Sequence, residues 1–233
     1  FAIAKLGAVM VPTNPLSPPD ELCHPVSHSE AVLSVTQPNL LGNIQSIRPD
    51  CPHLKHVVVC GDSSDTEIIT LDELVDGQPD IPPDVRIAPL DDAAILYTSG
   101  TTSKPKGVQV THANYIFLSE IVSHTTGLTP GDRHFITMPL FHGNAQYYSV
   151  MTTINVGASL AVMARFSASR FIKQAGRHGC TIASMMGTTM RMVLGQPPRT
   201  TDRSHKLRLV FFAMSITQDQ LEEWEDRFGI PLL

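Results

Sequence analysis

The stretch Ala93-Ala94-Ile95-Leu96-Tyr97-Thr98-Ser99-Gly100-Thr101-Thr102-Ser103-Lys104-Pro105-Lys106-Gly107-Val108-Gln109-Val110-Thr111-His112-Ala113-Asn114 decides how the rest of the chain is read. An apolar run over residues 93–97 breaks into a polar turn, after which Val108 and Val110 alternate with polar neighbours. That pattern predicts a buried strand, a loop and a second extended segment. The loop carries Gly100 and Gly107, hydroxyls at Ser99, Thr101, Thr102 and Ser103, and the cations Lys104 and Lys106. Glycine lets backbone approach a ligand closely. Successive N–H groups can form an anion nest, hydroxyls add hydrogen bonds, and lysine supplies a positive point charge. The combination predicts a phosphate-gripping loop; on chemistry alone, a Ser/Thr-rich surface loop without a ligand stays open. It is not the ATPase pattern G-x-x-x-x-G-K-[S/T], because Val108 stands where that pattern needs lysine.

The segment from Tyr97 to Asn114 resembles the phosphate-binding signature of the adenylate-forming enzymes, which include acyl- and aryl-CoA synthetases, luciferases and peptide-synthetase adenylation domains. Two further segments match in the same order. Lys5-Leu6-Gly7-Ala8-Val9-Met10-Val11-Pro12-Thr13-Asn14-Pro15 resembles an upstream motif of the family, and Pro139-Leu140-Phe141-His142-Gly143 resembles its aromatic/histidine motif at the acyl pocket. The similarity implies an α/β fold of layered, mostly parallel sheets with flanking helices. It covers residues 1–233 as part of the family's N-terminal AMP-binding domain. Phe1 and the apolar end Ile230-Pro231-Leu232-Leu233 are read as cut ends of a longer chain whose C-terminal domain is missing.

Composition agrees with a packed globular core. The chain has 233 residues, 42% hydrophobic, with a net charge of −5 when its ten histidines are neutral. This balance argues against nucleic-acid binding through an overall basic surface. No apolar run is long enough to span a bilayer, and the start lacks the order of a signal peptide, so a cytoplasmic location is expected. Cys23, Cys51, Cys60 and Cys180 show no C-x-x-C spacing and suggest neither a zinc site nor a dithiol centre.

Periodicity and punctuation predict strand–helix alternation, hence α/β with largely parallel pairing. Expected strands fall at residues 8–11, 31–35, 57–59, 135–138, 158–163 and 181–185, with another around Leu209 and Phe211. Expected helices fall at 17–29, 40–47, 70–74, 111–125, 144–153, 166–179, 188–194 and 218–228. Thr70 followed by Glu73 reads as a capping box. His24 and His28, four residues apart, read as helix surface, and the acids between Asp219 and Asp226 as a solvated face.

The resemblance implies roles for particular residues. Thr98, Ser99, Gly100, Thr101, Thr102, Lys106 and Gly107 would hold the ATP phosphates. Phe141, His142, Asn144, Met186 and Gly187 would line the acyl and coenzyme A pocket, with Tyr147 on the same wall. Ala213 and Met214 would lie near the adenine. Two departures stand out: Ser103 replaces a usual glycine, and Phe211-Phe212-Ala213-Met214-Ser215 replaces a glycine-rich strand end. The acid that places Mg2+ is expected beyond Leu233, so no metal ligand is assigned and no catalytic set is complete.

The implied reaction converts a carboxylic acid and Mg–ATP to an acyl adenylate and pyrophosphate, and then passes the acyl group to coenzyme A. That is the work of an acid–thiol ligase, with the isolated stretch expected to be inactive. The alternatives are an amino-acid adenylation domain of a peptide synthetase, or a degenerate nucleotide-binding scaffold.

Overall fold

The structure, a computed structural model, describes residues 1–63, 65, 67–98 and 104–233, and its contacts divide the chain into two units, Phe1–His112 and Ala113–Leu233. In the first unit, α1 (Ala2–Lys5) stops just before Gly7, whose φ of +65° lies in the left-handed region that favours glycine. The strand expected over residues 8–11 does not form. Only Met10 bridges, with its N–H donating to Ala93 O and its carbonyl accepting from Ile95 N, both at 2.9 Å. Pro12 has no N–H with which to extend the ladder.

Proline at the first position and acids in the first turn start α2 (Pro19–His28), which runs on through Pro25. Then come β1 (Leu33–Thr36), α3 (Leu41–Ile47), β2 (His56–Val59) and the short β3 (Ile69–Thr70), forming a parallel sheet in the order β1-β2-β3. Leu22 and Val26 of α2 and Ile44 and Ile47 of α3 pack with Cys51, Leu54 and Val57. This packing brings the Cys23 and Cys51 sulfurs, 28 residues apart, to 4.0 Å as free thiols, a proximity that spacing rules could not reveal. Burial, with Cys23 beside it, pushes the Cys51 thiol up to about 11. The Thr70–Glu73 capping box forms as expected at the start of α4 (Leu71–Val75). An antiparallel hairpin of β4 (Asp92–Thr98) and β5 (Lys106–Thr111) closes the unit.

The second unit follows α5 (His112–Thr126), which starts at the boundary. Its strands are β6 (Arg133–Ile136), β7 (Ser159–Val162), β8 (Ile182–Met186) and β9 (Leu209–Ala213), all parallel, in the order β7-β6-β8-β9. Residues 144–153, expected as an ordinary helix, instead wind as a π-helix over Asn144–Met151 that continues into α6 (Thr152–Asn155). Two hydroxyls reach back five residues, Ser149 Oγ to Asn144 O at 3.4 Å and Thr152 Oγ1 to Tyr147 O at 2.9 Å, and so support the wider turn.

Helices α7 (Phe171–Arg177), α8 (Gly187–Leu194) and α9 (Gln218–Phe228) contribute Phe171, Met190, Trp224 and Phe228 to one core with Phe135, Met185 and Val210 of the sheet. Met185 and Met190 are both fully buried in this core. A Thr217–Gln220 capping box opens α9 and Gly229, at φ +66°, closes it. Among the described residues, no helix is long and apolar enough to cross a membrane.

Candidate functional site

The β4–β5 hairpin presents the loop from which the sequence reading began. Tyr97 pairs with Gly107 and Thr98 with Lys106, so two residue pairs define the mouth of the turn. Gly107 is required there by side-chain crowding: an added Cβ would lie 2.8 Å from Ile95 Cγ2 and 3.3 Å from the Tyr97 ring. Thr98 and Lys106 are exposed at the hairpin end. Ser99, Gly100, Thr101 and Thr102, with Ser103, lie outside the described residues.

At this same end of the hairpin, His24 and His28 of α2 are more than the solvated helix surface the sequence suggested. His24 Nε2 donates to Pro105 O at 2.9 Å, and His28 Nδ1 hydrogen-bonds the Tyr97 hydroxyl at 2.8 Å.

In the second unit, strand order itself marks a site. The chain runs from β6 out to β7 on one side, then crosses to β8 on the other, so the order reverses between β6 and β8. Open parallel sheets bind ligands at such a reversal, outside the carboxyl ends of the strands. The segment after β6 holds Phe141, His142 and Asn144; Met186 ends β8 and Gly187 begins α8. Phe141 and His142 rings stand 4.6 Å apart, with His142 exposed and Phe141 partly buried.

Asn144 is held at the opening of the π-helix. Buried Ser184 Oγ donates to its Oδ1 at 2.9 Å, while its Nδ2 is buried with no partner among the described residues. Met186 is fixed by Thr189, whose Oγ1 accepts from Met186 N at 3.1 Å and donates to Met186 O at 2.8 Å.

Ala213 and Met214 follow at the carboxyl end of β9. Met214 takes φ +81°, a region that L side chains rarely occupy, at the place where the sequence lacks the expected glycines. It lies against the neighbouring strand end: a Cβ on Gly187 would sit 3.4 Å from Ser215 O and 3.6 Å from Met214 Cβ. The structure thus brings Met186 and Gly187 beside Met214 at one edge of the sheet.

Sequence reasoning missed the residues that brace this edge. Gln146 Nε2 donates to Leu140 O at 2.8 Å, and its Oε1 accepts from the Tyr115 hydroxyl at 2.7 Å. Tyr115 also stacks on Tyr147 at 4.6 Å, and burial pushes its phenol up to about 12, so it stays a donor. Together these contacts tie the segment carrying His142 to the π-helix. Only the aromatic character of Tyr115 hinted at this in sequence. No cluster of three or more His, Cys, Asp or Glu suited to a metal occurs among the described residues.

Comparison with known proteins adds scale. The family model described as "AMP-binding enzyme" matches residues 1–233. A crotonobetaine/carnitine–CoA ligase of Escherichia coli is 32% identical over 240 residues, covering 100% of this chain and 46% of that protein. The chain therefore spans about half the length of the curated relatives it matches. Among solved structures, the anthranilate CoA ligase AuaEII in complex with anthranoyl-AMP superposes with a TM-score of 0.90 at 25% identity, over 99% of this chain and 45% of that one. The N-terminal domain of FACL13 from Mycobacterium tuberculosis, at 21% identity and a TM-score of 0.82 over 99% of this chain and 56% of that one, shares the fold.

Proposed function

The chain belongs to the AMP-binding enzyme family, and from that premise we propose that the whole protein activates a carboxylic acid with Mg–ATP and transfers the acyl group to coenzyme A. The acid's oxygen attacks the α-phosphorus, the bond to the β-phosphate oxygen breaks, and pyrophosphate leaves. The coenzyme A sulfur then attacks the acyl carbon and AMP departs. The first step must align two anions that repel each other, so the binding site has to supply positioning and positive charge.

In this reading Thr98, Ser99, Gly100, Thr101, Thr102, Lys106 and Gly107 grip the phosphates, and Lys106 offsets charge on the leaving pyrophosphate. Phe141, His142, Asn144, Met186 and Gly187 form the acyl and thiol side, with Ala213 and Met214 on the adenine side. Mg2+ arrives with ATP as part of the substrate, and no step is assigned to it here.

One observation carries the reading: Gly187, on the acyl side, packs against Met214 and Ser215, on the nucleotide side. A reaction that joins an acid to AMP needs those two walls to abut. Similarity to a crotonobetaine/carnitine–CoA ligase and to an anthranilate CoA ligase supports coenzyme A as acceptor. The test is pyrophosphate release by the full-length protein with Mg–ATP and each of crotonobetaine, anthranilate and a medium-chain fatty acid, followed by thioester detection with coenzyme A. Acid-dependent release and a thioester are expected. ATP binding without release for any acid would favour the scaffold reading instead.

A further inference from the structure

The histidine pair of α2 touches both arms of the β4–β5 hairpin, close to where residues 99–103 leave and rejoin it. His24 and His28, one helical turn apart, share a face, and their rings stand 5.2 Å apart. A carbonyl oxygen only accepts, so His24 Nε2 carries the proton in its 2.9 Å bond to Pro105 O. Pro105 lies on the returning arm, immediately before β5. His28 Nδ1 meets the Tyr97 hydroxyl at 2.8 Å on the outgoing arm. The Tyr97 ring stands edge-on to both imidazoles, at 5.9 Å from His24 and 5.8 Å from His28. That ring also covers the space beside Gly107, its register partner, where a Cβ would come within 3.3 Å. One helix face therefore holds a residue on each arm of the hairpin, and the missing side chain at Gly107 leaves room for the Tyr97 ring.

We infer that His24 and His28, acting through Pro105 and Tyr97, are positioning residues that set the two arms of the β4–β5 hairpin at the end nearest Thr98 and Lys106. The inference rests on the proposed function for its ATP readout and on the hairpin geometry for the clamp itself. Neither histidine touches substrate. Their effect is to fix Tyr97 on the outgoing arm and Pro105 on the returning arm before nucleotide binds, so that less of that positioning is left for binding to accomplish.

The test uses His24→Ala, His28→Ala and the double variant in the full-length protein, with His24→Gln as the conservative control because its amide can still donate to the Pro105 carbonyl. The double variant is expected to raise KM for ATP roughly ten-fold while KM for the carboxylic acid stays within about two-fold. His24→Gln is expected to recover most of the loss seen in His24→Ala. Amide hydrogen exchange without nucleotide should speed up at residues 104–108 in the alanine variants and stay unchanged in β1 and β2.

Three results would overturn the clamp: an unchanged KM for ATP with unchanged exchange, equal rises in KM for both substrates, or a glutamine variant no better than alanine. If the wild-type protein releases no pyrophosphate with any acid, the proposed function fails, and the exchange measurement alone decides the clamp.

Discussion

His134 should make the second unit acid-sensitive by an amount that can be worked out in advance. It sits on β6 between Leu160 of β7 and Ile182 of β8, is 2% exposed, and has no hydrogen-bond partner on either ring nitrogen among the described residues. Burial lowers its pKa from 6.5 to about 4, with the nearby Asp132 carboxylate pulling the other way. The folded ring thus resists a proton that the unfolded ring accepts, so the contribution is fully present above about pH 6.5 and is lost as pH falls toward about 4. At about 1.36 kcal/mol per pKa unit, the loss is roughly 2 kcal/mol between pH 7.5 and pH 5 and roughly 3 kcal/mol by pH 4. Trp224 is the only tryptophan and is buried in the same unit's core, so its fluorescence reports urea unfolding there. The variant His134→Leu keeps an apolar group of similar size and removes the titration. Wild-type minus variant stability should be flat above pH 7 and fall by roughly 2 kcal/mol at pH 5. Parallel curves, within about 0.5 kcal/mol across that range, would refute the burial argument.

Three other perturbations test the packing around the site. Burial alone would raise the Asp132 carboxyl, but donors from Arg208, Thr181 and Thr129 together hold it well below the usual carboxylate range. Asp132→Asn should cost about 2–3 kcal/mol in urea unfolding at pH 7, the lower side of the buried-pair range because Arg208 is partly in water. A loss under about 0.5 kcal/mol would show that the network is dispensable. Gly107→Ala should destabilise the hairpin by about 1–3 kcal/mol through its clash with Ile95, read as faster amide exchange across β4 and β5; unchanged exchange contradicts the crowding. Met214→Gly should raise stability by about 0.5–1 kcal/mol, since glycine relieves the left-handed backbone at its own entropy cost. A lower melting temperature for that variant would mean that the methionine side chain outweighs the strain.

Local physics decides the structure where the sequence is most legible: the Thr70–Glu73 box starts α4, and residues 218–228 form α9 with the expected bounds, because caps act within a few residues. The two strands of the β4–β5 hairpin were legible for a similar reason: their apolar run and alternation do not depend on distant partners. The failures depend on tertiary context. Residues 8–11 are apolar enough for a strand, yet they make only one bridge, since Pro12 removes the next donor. The π-helix is supported by the Ser149 and Thr152 hydroxyls, which donate to carbonyls five residues back, and no 3.6-residue period signals such bonds.

The motif marks His142 and Asn144 as candidates but gives no sign of Ser184, which bonds Asn144 from 40 residues away, or of Gln146, which bonds Leu140 from within the π-helix. His24 and His28 looked like solvated surface because their partners, Pro105 and Tyr97, lie about 70 to 80 residues further along the chain. Met214 could be marked only as a missing glycine; its positive φ adds that the backbone still takes a glycine-like path there.

We propose above all that the segment joining Thr98 to Lys106 holds the phosphates of ATP. Its most direct test is a calorimetric titration of the full-length protein with Mg–ATP, comparing wild type with the triple variant Thr101→Ala/Thr102→Ala/Lys106→Ala. Saturable binding by wild type and at least about a ten-fold weaker affinity in the triple variant are predicted, in line with the loss of several charge-assisted hydrogen bonds. Equal affinity in the two proteins would contradict the account.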